Sequence, residues 1–288
     1  MSSGISLEDL HLFHKIDREV FTRLVVYLCR NPAESLLVVS MWLWFEEEHL
    51  PSIIDKMVKL PNEIVNKLAE EGATCLKWIE SKVPPSVLND AGDMPLTSII
   101  LKRTVSFNMF YQQRFTMISG IKAFLNKVCA IIFADILHQT IPGQSRIRLN
   151  SPILIPGFPH PTFGPITVVP RSLDSIIPSK GLWGWSIKND AQVDDRTMFL
   201  TFSRGFPVTE GEVKELFNSC YGVNCVEQVH MVPLTSSSDH SLYARMVVRD
   251  VSTIDQILCS GSIAKFRING KHVWARKYER REHLDKFN

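Results

Sequence analysis

Thr197-Met-Phe-Leu-Thr-Phe202 and Ser241-Leu-Tyr-Ala-Arg-Met-Val-Val248 alternate apolar side chains with rings, hydroxyls and a guanidinium. Successive side chains of a strand point to opposite faces, so a period of two separates a core face from an outer face. Met198, Leu200 and Phe202 are therefore expected inward, with Phe199 and Thr201 outward. On the later strand Leu242, Ala244, Met246 and Val248 face inward, and Tyr243, Arg245 and Val247 face outward. Between the two strands, Thr209-Glu-Gly-Glu212 has the spacing of a capping box and starts a helix with Val213, Leu216 and Phe217 inward. A further strand is expected near 225–232, before the polar loop 235–239. Ser252–Cys259 makes a short second helix. Asn269-Gly270 signals a two-residue hairpin turn into a last strand. That strand turns Val273 and Ala275 inward and His272, Trp274 and Arg276 outward.

The order strand-helix-strand-strand-helix-strand over residues 196–278 resembles the RNA recognition motif. Phe199 falls at the aromatic position of that family's first-strand motif, and Tyr243 and Ala244 at the aromatic and small positions of its third-strand motif. The resemblance implies an α+β, ferredoxin-like domain (βαββαβ) whose sheet face meets single-stranded RNA. Phe199, Tyr243 and Trp274 would be stacking surfaces, with Arg245, Arg276, Lys277 and Arg280 on the RNA backbone. The third-strand motif departs from the family pattern. Ser241 replaces a basic residue, Leu242 a glycine, and Arg245 and Val248 aromatic residues. Arg245 can still stack or bind phosphate, and Trp274 can supply a ring from the neighbouring strand. The alternative keeps the fold and changes the ligand. Trp183, Trp185 or the apolar linker would cover the sheet, or a protein would bind it, making the chain an adaptor in an RNA-processing assembly.

Upstream, residues 1–141 show helical periodicity punctuated by prolines, an all-α domain of about five to seven helices. Asp17 is placed to cap a helix over 18–30 with Phe21, Leu24, Val25 and Leu28 on one face. Pro32, Pro51 and Pro61 each start a helix, as proline fits the first turn and little else. Two more helices are expected over 97–111 and 115–139. Glu46-Glu-Glu-His49, closing an apolar helix, is expected to be a solvated turn, unfavourable to the helix dipole unless paired. Residues 142–195 form a linker, since half of the sixteen prolines lie between Pro142 and Pro178. Residues 153–170 are nearly uncharged and apolar, so the linker is expected to dock, most simply on its own chain. A partner with a groove for extended proline-rich chain is the other candidate. The whole layout is also similar to a plant family with a helical N-terminal half and one RNA recognition motif near the C-terminus. That likeness carries a domain order and a nuclear or cytoplasmic address, and no activity.

The 45% hydrophobic content of the 288 residues supplies core material for two domains. The longest uncharged apolar run, Ser35–Phe45, is too short for the roughly 20 residues of a membrane span, so no membrane partner is expected. The N-terminus lacks a secretory or mitochondrial pattern. Six scattered cysteines have no metal spacing and are expected to be reduced and mostly buried. Net charge is +2, but between Lys265 and Lys286 basic residues outnumber acidic ones eight to three. This excess, continued in a basic tail over 279–288, attracts phosphate. His11 and His14 lie without a metal-binding or catalytic motif, and no phosphate loop or nucleophile elbow is present. The expectation is a non-enzymatic protein without cofactor. Trp42, Trp44, Phe45, Trp78, Phe107, Phe110 and Tyr111 belong to a helical core that would also serve protein interaction or homo-oligomerisation.

Overall fold

A computed structural model describes residues 6–48, 53–79, 94–141, 150–158, 160, 162–170, 191–203, 207–232 and 241–279. They divide into two compact units, one drawn from 1–110 and 120–190 and the other from 111–119 and 191–288.

The first unit is helical, with α1 Leu7–Phe13, α2 Lys15–Thr22, α3 Pro32–Glu48, α4 Ile53–Val58, α5 Asn62–Trp78, α6 Pro95–Leu101 and α7 Phe107–Gln112. Helix α8, Arg114–Phe124, begins in the second unit and enters the first at Gly120; α9 Ala130–Ile132 and α10 Ala134–Thr140 follow. Helix α3 is apolar all round, which suits a helix enclosed on every side. Leu36, Leu37, Val38, Val39, Met41, Trp42 and Phe45 are all fully buried. Each such side chain stabilises by about 1.5–3 kcal/mol relative to exposure. Phe45 stacks on Phe110 at 4.3 Å, and Phe21 on Phe133 at 4.3 Å. Close approach to α3 depends on missing side chains. A Cβ on Gly120 would lie 2.1 Å from Trp44 Cδ1, and one on Gly72 would lie 3.0 Å from Met41 Cε and Val38 Cγ1.

Several boundaries differ from the sequence expectation, each for a local reason. The helix expected to start after Asp17 starts at Lys15, and the Asp17 carboxylate bonds the His14 imidazole at 2.6 Å instead of capping its own helix. A π turn at Arg23–Tyr27 ends that helix early, leaving Val26 and Tyr27 exposed. The expected helix 97–111 breaks after Leu101. Lys102 takes a left-handed conformation (φ 53°), and the Ser98 hydroxyl accepts the Val105 N–H at 2.9 Å. A hydroxyl that satisfies a backbone group locally competes with the helix in this way. The expected helix 115–139 passes through a π turn at Leu125–Cys129 and breaks at Phe133 (φ −112°, ψ 1°). By length and composition Arg114–Ile132 is apolar enough to cross a membrane, but most of it is buried, as in a core helix.

Glu46 is not a solvated turn residue. Its carboxylate accepts the Ile54 N–H at 2.8 Å at the start of α4, and burial pushes its pKa up to about 7. Arg23 is buried and donates to the Met57, Val58 and Leu60 carbonyls at the end of α4. Both devices satisfy helix-end groups that have no partner within the helix. The described linker residues between 150 and 170 belong to the first unit, and 191–195 to the second. Strand β1, Ile153–Leu154, pairs antiparallel with β2, Thr167–Val168, and Ile153, Ile155, Ile166 and Val168 are buried. His160 donates from Nε2 to the Leu76 carbonyl at 3.1 Å, and burial lowers its pKa. Gly157 (φ +91°) passes so close to Asn31 that a Cβ would lie 1.9 Å from Asn31 Nδ2. Asn31 is itself the α3 cap, accepting the Ala33 and Glu34 N–H groups. Trp183 and Trp185 lie outside the described residues.

The second unit is α+β. Its elements are β3 Thr197–Phe202, α11 Glu210–Tyr221, β4 Val226–Met231, β5 Tyr243–Val248, α12 Ser252–Leu258, β6 Ile263–Ile268 and β7 Lys271–Lys277. The five strands form an antiparallel sheet in the order β4-β5-β3-β7-β6. Sequence reading had placed the hairpin at Asn269-Gly270 but missed its first arm, β6. Asn269 (φ 49°) and Gly270 (φ 83°) make the left-handed two-residue turn that a right-twisted hairpin favours. Thr209 and Glu212 form the capping box of α11. Glu212 also accepts from Asn269 Nδ2 at 2.9 Å and Lys271 Nζ at 3.0 Å. The Thr209 backbone N–H, then Lys271 and Asn269, hold its carboxyl down at about 2. Buried Asp255, on α12, caps α8 by accepting the Phe115 N–H (3.1 Å), the Thr116 N–H (2.9 Å) and the Thr116 hydroxyl (2.7 Å). Desolvation outweighs these bonds and raises its pKa to about 6.

Two stability predictions follow from this packing. Gly120→Ala is expected to cost about 1–3 kcal/mol by overpacking against Trp44, read by urea denaturation; an unchanged midpoint would contradict the close approach. For Asp255 the folded pKa lies above the unfolded one, so folded protein keeps a proton that the unfolded chain has lost between about pH 4 and 6. The stability this group contributes is present below that window and lost as pH rises through it. Wild-type stability minus that of Asp255→Asn is therefore expected to fall, on the order of 3 kcal/mol, between pH 4 and 7. Parallel urea-denaturation profiles across that range would contradict it.

Candidate nucleic-acid interface

Packing against α11 and α12 fixes which face of the five-stranded sheet is left open. Met198, Leu200, Ala244, Met246, Val248, Val273 and Ala275 are buried in one core with Val213, Phe217, Ile254 and Ile257. Alternation then directs Phe199, Thr201, Tyr243, Arg245, Trp274 and Arg276 to the opposite face. Strand register brings them together. Phe199 lies between Arg245 on β5 and Arg276 on β7, and Thr201 lies between Tyr243 and Trp274. The Phe199 and Tyr243 rings stack with centroids 5.7 Å apart and planes at 26°. The Arg276 guanidinium sits 4.7 Å over the Phe199 ring. Phe199, Tyr243 and Trp274 are half-buried, whereas Arg245 and Arg276 are exposed.

Four residues outside the expected contact set join this face. Tyr278, just past the end of β7, has the Arg245 guanidinium 5.9 Å above its ring. His272 stacks beside Trp274 at 5.9 Å and 26°. His272 had been placed outward without a role, and the strand period was signal enough to group it with Trp274. Tyr278 lay beyond the alternating stretch and gave no such signal. On β6, Lys265 stands opposite Trp274 and Arg267 opposite His272. The outward positions of β3, β5, β6 and β7 thus carry Arg245, Lys265, Arg267 and Arg276 and no carboxylate.

Lys277 is not brought to this face. It pairs with Met198 in register, and its ammonium donates to the Asp194 carbonyl at 2.6 Å, closing the start of β3 against the end of β7. Arg280 lies outside the described residues. Val247 faces outward by register but is buried, so the β5 end of the face is less open than its centre.

Chemically, the face offers flat π surfaces with exposed guanidinium groups over or beside them. A guanidinium over an exposed ring contributes about 0.5–1 kcal/mol. A nucleobase stacked on an aromatic side chain contributes about 1–3 kcal/mol. The same alternation separates the stability effects of neighbouring residues. Leu200→Ala is expected to cost about 2–5 kcal/mol, and Arg276→Ala no more than about 1 kcal/mol, by urea denaturation. Equal costs would contradict the assignment of faces. No family model matches the chain, and no curated protein or solved structure matches it either.

Proposed function

We propose that the second unit is a divergent RNA recognition motif and that the protein binds single-stranded RNA on the open face of its sheet, without catalysing a reaction. The observation that carries this reading is the Phe199–Tyr243 stack on a face whose outward positions on β3, β5, β6 and β7 bear arginines and a lysine and no carboxylate. The strand order supports it, because the first and third strands of the unit, which carry the two rings, are neighbours inside the sheet. Arg245 and Arg276 would bind the phosphates between bases stacked on Phe199, Tyr243 and Trp274. Lys277 is left out of the contact set because its ammonium already serves backbone carbonyls.

The helical unit has a separate role in this proposal, as a protein-interaction or dimerisation module. Leu12, Phe13, Tyr27 and Ile99 support it, standing 71%, 54%, 69% and 71% exposed. A nuclear or cytoplasmic address fits an RNA ligand.

Fluorescence anisotropy of the full chain with a degenerate pool of short RNAs, at two salt concentrations, tests the proposal. Phe199→Ala and Tyr243→Ala are each expected to weaken binding by about 5- to 100-fold while the protein stays folded. Each phosphate-binding arginine contributes about 0.7 to the slope of log affinity against log salt, so Arg245→Ala with Arg276→Ala should lower that slope by about 1.4. Absence of RNA binding by the folded wild-type chain would overturn the proposal and favour the adaptor reading.

A further inference from the structure

The β6–β7 hairpin carries its own set of stacking and cationic groups, set apart from the Phe199–Tyr243 stack. Trp274 lies two strands from Tyr243, with Thr201 between them. At the usual strand spacing that separation is about 10 Å, too far for one base to cover both rings. His272 and Trp274 occupy consecutive outward positions of β7 and stack at 5.9 Å. Directly across the ladder stand Lys265 and Arg267, both exposed and without a carboxylate partner among the described residues. The hairpin is also held in place from behind. Its turn residue Asn269 and the adjoining Lys271 both donate to Glu212, the capping-box carboxylate of α11.

We propose that this hairpin is a further nucleotide subsite for single-stranded nucleic acid, with a base on the His272–Trp274 step and the adjoining phosphate between Lys265 and Arg267. The inference rests on the sheet face being an RNA platform and extends its footprint onto β6. An aromatic step flanked on one side by two unpaired cations matches a base with its phosphate. The turn anchored to Glu212 means that little hairpin motion has to be frozen on binding, which favours affinity.

Oligomer length separates the subsite from the central stack. Labelled di-, tetra- and octauridylate would be titrated into the full chain, with Trp274→Ala and the exposed double variant Lys265→Gln/Arg267→Gln compared with wild type. Trp274→Ala is expected to weaken octauridylate about 5- to 100-fold, and by a larger factor than it weakens diuridylate. Trp274→Phe should restore most of the loss. The double variant should weaken octauridylate in low salt, with a slope against log salt lower by about 0.7. It alters only exposed side chains, so it decides the matter even if Trp274→Ala impairs folding. Octauridylate affinity unchanged in the double variant, with Phe199→Ala weakening every length, would overturn the hairpin subsite and leave the platform standing. No binding of any oligomer by wild type would overturn both.

Discussion

Burial of Met198 and Leu200 against α11 and α12 is the constraint on which the outer face depends. A strand cannot turn one side chain without turning its neighbours the opposite way, so these two core residues commit Phe199 and Thr201 to the open side. Antiparallel register then sets Arg245 and Arg276 on either side of Phe199, and Tyr243 and Trp274 on either side of Thr201. Nothing in the interface needs a special loop or a strained backbone. Its rings and guanidiniums are what remains when the core has taken every second residue.

Several helix ends are satisfied by side chains remote in sequence. Glu71 accepts the Leu96 and Thr97 N–H groups at the start of α6, and Asp255 does the same for Phe115 and Thr116 of α8. Glu46 serves α4 at its N-terminus and Arg23 serves it at its C-terminus. Carboxylates at positive helix ends and a guanidinium at a negative one also match the helix dipole. Where such a carboxylate is buried the cost of desolvation shows in a raised pKa, as at Glu46 and Asp255. Solvated Glu212, making comparable bonds, is shifted the other way.

What was legible in the sequence follows from this division of labour. The faces of β3, β5 and β7, the Thr209 capping box and the Asn269-Gly270 turn all rest on residues a few positions apart, and each stands where local pattern put it. Local pattern could not foresee that the helix over 97–111 would yield to a Ser98–Val105 bond, or that Phe133 would interrupt another. Strand β6 was also missed, and of the six thiols expected to be mostly buried only Cys75 and Cys129 are so, since Cys29, Cys220 and Cys259 sit at exposed positions. Strand β6 exposes Ile263 on its outer face and follows a turn rich in serine and glycine, so its alternation is weak. Within the candidate site, Phe199, Tyr243, Arg245, Trp274 and Arg276 converge. Lys277 falls on the other side of the same alternation, one residue from Arg276. Tyr278 and the cations of β6 emerge only once the fifth strand is in place.

The central claim is that one face of this sheet, and not its helices, meets single-stranded RNA. Ultraviolet cross-linking of the full chain to octauridylate, with the adducts located by mass spectrometry, tests that claim most directly. Adducts at Phe199, Tyr243 or Trp274 are the predicted result. Adducts confined to α11, α12 or the helical unit, with the sheet face unmarked, would contradict it.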